Sequence, residues 1–573
     1  MASPVTMPTS PPVDGMPHIL RLELLFSRTP VESCDVIPFV VLRTPDGDIK
    51  SADTIETKTR GTISVQYRWL RSIPRFMCGR INCKNSATLQ FTKVDLDDRA
   101  AGGAASPGDE NDLRPFYCSQ ECLVHDWTER LRARLARRAR AVTLPKTADE
   151  ADQLRERLRM PLEWGEEDVA LDNPAESVEV GWLRKYTPSK TDIGFPLELS
   201  CRYVFRQADN KVAIGPNVAI RTAAVRELPP PPPMRRLLAI PSGEDIMTQR
   251  RNGCFRILTY NVLAEIYASS QEYDYTPDWA LAWTYRQNNL LREIERYNAD
   301  VLCLQEIQED HFQSHLFPAL ARLGFEGIFK SKTREAMGRK GKIDGCATFF
   351  RTDKFTLVEN RSLEYDTIAR ARLGDGQQQT QQREALKRLS RGNVASLLIL
   401  RSREIDRDIL VANTHIFWDP EKADVKLYQV DVFLEEIEKT LARVGVDTPV
   451  AIGGDFNSEP DSAVYDLIST GAVSPEYRAE DPYGTLSSVR LMHKLKLVSA
   501  FTVTGLEAPF TNFTRKYVGT LDYIWYQGLR LTALMEIPSE HDLLGIDDTG
   551  ALPNSRWSSD HIALMAEFQL PSR

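Results

Sequence analysis

From residue 252 onward, short apolar runs alternate with longer stretches in which apolar positions recur every three or four residues. The runs CFRILTYNVL (254–263), ADVLCLQEI (299–307), VASLLILRS (394–402), RDILVANTHIF (407–417) and PVAIGGDF (449–456) predict buried strands. Between them, WALAWTYRQNNLLREIERY (279–297), HFQSHLFPALARLG (311–324) and DVKLYQVDVFLEEIEKTLARV (424–444) predict amphipathic helices. Strands alternating with helices predict a layered sheet covered by helices. Before residue 228 the pattern differs. Short strands such as VIPFVVLR (36–43), TISVQYRWLRS (62–72) and LELSCRYVF (197–205) follow one another with turns between them, which predicts a β module. Two segments inside it, within 128–160, carry helical periodicity, and the first, RLRARLARRARA, is strongly basic. Five consecutive prolines, Pro229 to Pro233, predict a stiff spacer between the two regions. The expected units are a disordered Pro/Ser/Thr-rich terminus (1–16), a β-sandwich module (17–227), a Pro-rich linker (228–250) and an α/β domain (251–573).

Several of these apolar strands meet polar residues suited to chemistry: Asn261, Glu306, His415, Asp455 with Asn457, Asp522 in GTLDYIWY, and Asp560–His561 in WSSDHIAL. Each has a plain alternative. Asn261 suits a helix cap, the histidines suit a core, and an Asx pair suits a turn. Yet strand residues two apart share a face, so Asp455 and Asn457 project together while Phe456 turns into the core. Uncompensated carboxylates beside apolar strands cost stability, so so many in one domain point to a shared site. Net charge of −8 repels phosphate as a whole, which excludes a broad electrostatic nucleic-acid binder but not an enzyme with a local, metal-lined cleft. Nine cysteines in 573 residues do not make a disulfide scaffold and predict a reducing compartment, cytoplasm or nucleus. No apolar stretch is long enough for a membrane span, and no secretory or transit signal is visible, so no membrane partner is expected.

Convergent carboxylates, amides and imidazoles predict metal-assisted hydrolysis of a phosphate ester. Magnesium takes oxygen ligands, and Glu306 is the best candidate. Asp455 would activate water, Asn457 and Asn261 would donate to phosphate oxygens, and His561 held by Asp522 would stabilise developing charge. Zinc is the poorer choice here, because this half has no Cys/His ligand set.

The ordered motifs TYNVLAE, LCLQEI, ANTHIFWDP, GGDFNSEP, TLDYIWY and WSSDHIAL resemble the endonuclease/exonuclease/phosphatase superfamily. Within it they are similar to the carbon-catabolite-repressor-type poly(A) deadenylases, in the plant and algal form. The resemblance implies a four-layer α/β sandwich and Mg2+-dependent 3′→5′ removal of AMP from poly(A) RNA, with one or two ions. It implies that Glu306 binds metal with Asn261 beside it, and that Asp560 adjoins a second metal position. It also implies that Asp455, Asn457, Asp522 and His561 carry catalysis, and that His415, Pro420, Asn512 and Tyr517 form an adenine pocket. An acidic residue that animal relatives carry before the DGC motif is absent, and Arg339 falls near its place. Rival functions are a 2′,5′-oligoadenylate phosphodiesterase on the same fold and a non-catalytic deadenylase scaffold.

The first half resembles that of plant relatives, an immunoglobulin-like β-sandwich without leucine-rich repeats, and is expected to dock subunits of a deadenylase complex. Its segment FYCSQECLVHDW (116–127) resembles half of a MYND-type finger. Cys78, Cys83, Cys118 and Cys122 are enough for one tetrahedral Zn2+ site, but the pair expected after ATLQ is missing, so a degenerate finger without metal is the alternative.

Overall fold

A computed structural model describes residues 5–6, 18–24, 27–44, 47–50, 54–57, 61–73, 89–90, 116–117, 176–207, 211–240, 253–334, 342–374, 380–474, 481, 483–544 and 549–571. The four candidate zinc cysteines, Arg339 and the basic segments within 128–160 lie outside them.

The α/β region builds two sheets. In the first, the strand order is Leu237–Ala239, Arg530–Met535, Leu564–Gln569, Cys254–Asn261, Val301–Gln308, Asp344–Arg351, Phe325–Ser331. In the second it is Phe355–Glu364, Val394–Ser402, Arg407–His415, Val450–Asp455, Asp522–Gln527, Val498–Ser499. Their inner faces share one apolar core, in which Ile257, Val301 and Ala566 meet Leu398, Val411, Ala451 and Ile524. Leu290, Ile294 and Leu320 from helices pack on the outside of the first sheet. Helices Ala423–Val444 and Ala463–Thr470 cover the second. The result is the four-layer α/β sandwich. Strands buried on both faces must be apolar throughout, which is why these runs show no alternation.

Gly453 brings the layers close together, and Gly454 lets its strand pack tightly on its neighbour in the same sheet. A Cβ added to Gly453 would lie 2.9 Å from Cys303 Cβ and 3.0 Å from Thr259 Cβ on the facing sheet. One added to Gly454 would lie 2.6 Å from the Thr414 carbonyl. The approach at Gly453, two residues before Asp455, brings that carboxylate to within reach of the opposite sheet.

In the first half, strands His18–Leu24 and Pro38–Thr44 form one antiparallel sheet, and Gly61–Ile73 and Pro196–Gln207 form the centre of another. Leu22, Val40 and Leu42 meet Trp69, Leu197 and Leu199 between them. The module leans on the α/β region through Val31, Cys34, Trp279 and Tyr285.

Of the expected Pro-rich linker, the described residues 228–240 pack against the α/β region. Arg292 and Arg296 of helix Trp283–Tyr297 donate to the carbonyls of Pro229 and Pro232 at 3.2 and 2.7 Å. Buried Arg235 donates to the carbonyls of Glu536 and Ala563 at 2.7 and 2.6 Å, and Leu237–Ala239 pairs as an edge strand with Arg530–Met535. An extended polyproline stretch makes no internal hydrogen bonds, so its carbonyls are free to accept from these arginines. Truncation should show this dependence. A chain starting at Leu228 should have a higher urea midpoint than one starting at Arg250, reflecting about 1–3 kcal/mol of stability from these hydrogen bonds and the edge strand. Equal midpoints would show that the segment contributes no stability.

Candidate active site

Register decides which polar residues meet. Val450–Asp455 lies between a parallel neighbour and an antiparallel one, and the pairing sets His415 opposite Asp455 and Asp455 opposite Asp522. Asn261 and Glu306 close the equivalent edge of the other sheet, with Asn261 paired to Gln305. Asp522 begins its strand, and Asp560–His561 precede theirs. Both strands run antiparallel to their central neighbours, so their starts reach the edge where the central strands end.

At this edge Asn261 joins the sheets. Its Nδ2 donates to Glu306 Oε1 at 3.2 Å and to Asp455 Oδ2 at 3.0 Å. Both amide hydrogens are therefore spent on carboxylates, a positioning task rather than the expected donation to phosphate. Asp455 Oδ1 accepts from the Asn457 backbone N–H at 2.9 Å, and the Asn457 side chain donates to the Ile416 carbonyl at 3.0 Å. His561 Nδ1 lies 2.7 Å from Asp522 Oδ2, while its Nε2 lies 3.8 Å from Asp455 Oδ2. His415 Nε2 approaches the same oxygen at 3.6 Å. Glu306 and Asn457 hold left-handed backbone, φ 59° and 47°, as does nearby Leu263 at 57°. Such conformations cost about 1–3 kcal/mol each and persist where surrounding contacts enforce them. One such contact is buried Arg286, which donates to the carbonyls of Val262, Leu263 and Ser558 and so ties the loop after Asn261 to the loop before Asp560.

Burial sets the electrostatics. The Asp455 carboxyl is pushed up to about 7, first by desolvation and then by the charge of Asp522. Glu306 is also raised, by burial and by Asp344. Desolvation opposes charge on both histidines. For His561 the charges of Asp522 and Asp560 outweigh it, and the ring is held well above its ordinary value as an imidazolium. His415 lacks that compensation and is held well below, neutral. Asp455, Asp522 and His561 offer ligand atoms within 4.8 Å of one another, and Asp522 Oδ1 is buried without a hydrogen-bond donor. As an imidazolium His561 offers no lone pair, but the carboxylates gathered at this edge, Asp455 with Asp522 and Glu306 with Asp344 and Asp560 near it, are an oxygen-rich, like-charged set that fits a hard divalent cation.

The remaining expected residues lie around this centre. Asn512 Nδ2 donates to Asp560 Oδ2 at 3.3 Å, and Asn512 bridges to His561 through its backbone. Tyr517 sits in the same hairpin, its hydroxyl donating to Glu459 at 2.7 Å, and Pro420 is exposed on the loop after His415. Asn413, although polar on the same strand as His415, belongs to a network inside the sandwich with Gln305, Thr348 and the Ala347 carbonyl. Its role there is structural.

Sequence reasoning missed four side chains. Asp344 lies at the active edge, 2.6 Å from Lys332 and accepting from the Tyr267 hydroxyl at 3.0 Å. Tyr273 donates to Asp560 at 2.9 Å. Asp344 carried the same signal as the others, a carboxylate against an apolar run, but at the start of its strand. A separate cleft of about 250 Å³ beside Gly253, Lys354 and Glu404 opens where the central strands begin, away from this centre.

Residues 258–561 match the Endonuclease/Exonuclease/phosphatase family. Carbon catabolite repressor protein 4 homolog 1 of Arabidopsis thaliana is 35% identical over 97% of this chain and 99% of its own length. The CCR4-Not complex 3′-5′-exoribonuclease subunit Ccr4 of Saccharomyces cerevisiae is 36% identical over 57% of this chain and 40% of its own. Among solved structures, ANGEL2, a 2′,3′-cyclic phosphatase, is 29% identical over 59% of this chain and 98% of that one, with a TM-score of 0.47. Likeness to a relative from end to end, over a fold that gathers the motif residues at one edge, places this chain in the endonuclease/exonuclease/phosphatase family, with the carbon catabolite repressor 4 proteins.

Proposed function

We propose that this chain is a Mg2+-dependent 3′→5′ exoribonuclease that shortens poly(A) tails and releases 5′-AMP as the catalytic subunit of a deadenylase complex. The observation that carries this reading is the meeting at one edge of a buried carboxylate with a raised pKa, an imidazolium–carboxylate pair and Glu306. Relatives over the α/β region are named as 3′-5′-exoribonuclease subunits of the CCR4-Not complex, which supports both the reaction and the assembly. Glu306, with Asp344 and Asp560 near it, would hold Mg2+, which when bound stabilises negative charge on the phosphate oxygens.

The chain's own groups do the rest. Asp455 accepts the proton of the attacking water, fixed in place by Asn261 and the Asn457 backbone. His561, kept charged by Asp522, donates to a phosphate oxygen as charge develops on it. Neutral His415 fixes the other side of Asp455. Pro420, Asn512 and Tyr517 hold the terminal adenine, with base–aromatic stacking contributing about 1–3 kcal/mol. The first half, with no motif residue of its own, docks the chain to its partner subunits.

The deciding experiment compares product ladders from 3′,5′- and 2′,5′-linked oligo(A), with a 3′-terminal non-A substrate as control. The expected result is a one-nucleotide ladder and 5′-AMP from the 3′,5′-linked substrate, with loss of activity in EDTA. Faster cleavage of the 2′,5′ linkage would replace this reading with an oligoadenylate phosphodiesterase. A folded protein inert on both would leave the scaffold.

A further inference from the structure

The loop that leaves the site carries an aromatic residue that packing does not account for. Immediately after His415, Ile416 is buried, Phe417 is half-buried, and Trp418 is 66% exposed. Phe417 stands two residues, at most about 7 Å of chain, from His415. Its ring centroid lies 6.1 Å from that of Trp418. Two cations lie against the same ring, the Arg391 guanidinium at 5.0 Å and the Lys422 ammonium at 5.6 Å.

Arg391 is the informative group. Its Nε donates to the Arg388 carbonyl at 2.8 Å, and among the described residues no carboxylate lies within ion-pair distance of its guanidinium. Arg388 and Arg334 add like charge beside it, which outweighs the opposite charge of Asp419 and Asp424 beyond ion-pair distance. Their own carboxylates are taken elsewhere: Arg388 forks onto Asp424 at 2.6 and 2.8 Å, and Arg334 faces Asp366 at 3.8 Å. A half-buried arginine with no carboxylate at ion-pair distance among the described residues has guanidinium donors free to take up an anion. This arginine is also fastened to the catalytic edge. Asn393, two residues after Arg391, donates to the His415 carbonyl at 3.0 Å, and Asn457 donates to the Ile416 carbonyl at 3.0 Å.

We propose that Arg391, Phe417 and Trp418 form a second subsite for single-stranded RNA, which holds nucleotides on the 5′ side of the scissile bond. A base stacks on the exposed indole, and a backbone phosphate pairs with the Arg391 guanidinium, which is seated on Phe417. The inference rests on the proposed exonuclease reading, in which the 3′ end enters the site and the rest of the strand must leave across the surface. Stacking on an aromatic side chain with arginine beside it binds single strands with little sequence preference, as a processing path requires.

The test is equilibrium binding by the full chain in EDTA, with fluorescently labelled oligo(A) of sixteen nucleotides and of three. Trp418→Ala should weaken binding of the longer oligomer about tenfold and of the trinucleotide less than about twofold. Arg391→Gln should do the same and lower the slope of log affinity against log salt by about one phosphate contact. Trp418→Phe should keep most of the affinity, because a phenyl ring still stacks. Trp418 is exposed enough for its removal to leave the fold intact, so the proposal stays testable even if Arg391→Gln misfolds. Equal losses on both lengths would place these residues in the terminal-adenine pocket and overturn the proposal. Unchanged affinity for both would overturn it too, and would point to a protein partner for the strip. The exonuclease reading fails separately, if the wild-type chain with Mg2+ leaves the sixteen-nucleotide substrate uncut. Cutting by wild type with unchanged variant affinities would remove the subsite alone.

Discussion

Asp455→Asn should cut turnover of oligo(A) by at least about 10²-fold, yet make the metal-free protein more stable near pH 8. The first effect follows from its place: it is the buried carboxylate that Asn261, Asn457, His415 and His561 all surround. Loss of a general base costs about 10²–10⁴-fold. The second follows from the raised pKa. Folding lifts this carboxyl from an ordinary value of 3.8 to about 7, so the folded state favours the protonated form. The stability it contributes is fully present below about pH 4 and is lost as pH rises through about 7. Above that window the charge costs of order 2–4 kcal/mol without a cation, and the neutral amide does not incur it. Urea midpoints in EDTA at pH 5 and pH 8 measure the difference. Wild type should lose stability between the two through this group, and the variant should lose less. Near-normal turnover in a folded Asp455→Asn protein would remove Asp455 from the reaction.

Asp522→Asn should lower turnover at pH 8 by at least about 10²-fold and shift the alkaline limb of the pH profile to lower pH. His561 is buried, and burial alone would hold its ring neutral. The Asp522 carboxylate, 2.7 Å from Nδ1, is the largest influence keeping it charged. An amide in its place keeps the shape of the contact and removes the charge, so the imidazolium becomes harder to maintain and is lost at lower pH. Activity should therefore recover in part as pH falls from 8 toward 6, until protonation of the Asp455 carboxyl limits it. A uniform loss at every pH would mean that Asp522 serves as a ligand or prop rather than as the counter-charge of His561.

Much of this molecule is legible in one dimension where burial is complete. A strand covered on both faces has to be apolar, so the runs ending at Asn261 and Asp455 stand out in any reading, and the polar residues that interrupt them are conspicuous for the same reason. Asp344 carried that signal unnoticed because it opens its strand. Only the antiparallel pairing to Val301–Gln308 brings an opening residue to the edge where the central strands end. Asn413 carried the signal too and proved structural. A polar residue facing the other sheet and one facing the substrate look alike until the packing partner is known.

By itself, the sequence determined the alternation that makes four layers and the residue types available for phosphate chemistry. These follow from local rules, because periodicity and burial act over a few residues. Tertiary structure alone decided the rest. It set Asp455 between His415 and Asp522, turned the Asn261 amide onto two carboxylates, docked the prolines on a helix, and seated Arg391 against Phe417. The first two depend on strand register and on the approach of two sheets at Gly453, and all four on contacts between residues tens to hundreds of positions apart, which no local pattern encodes.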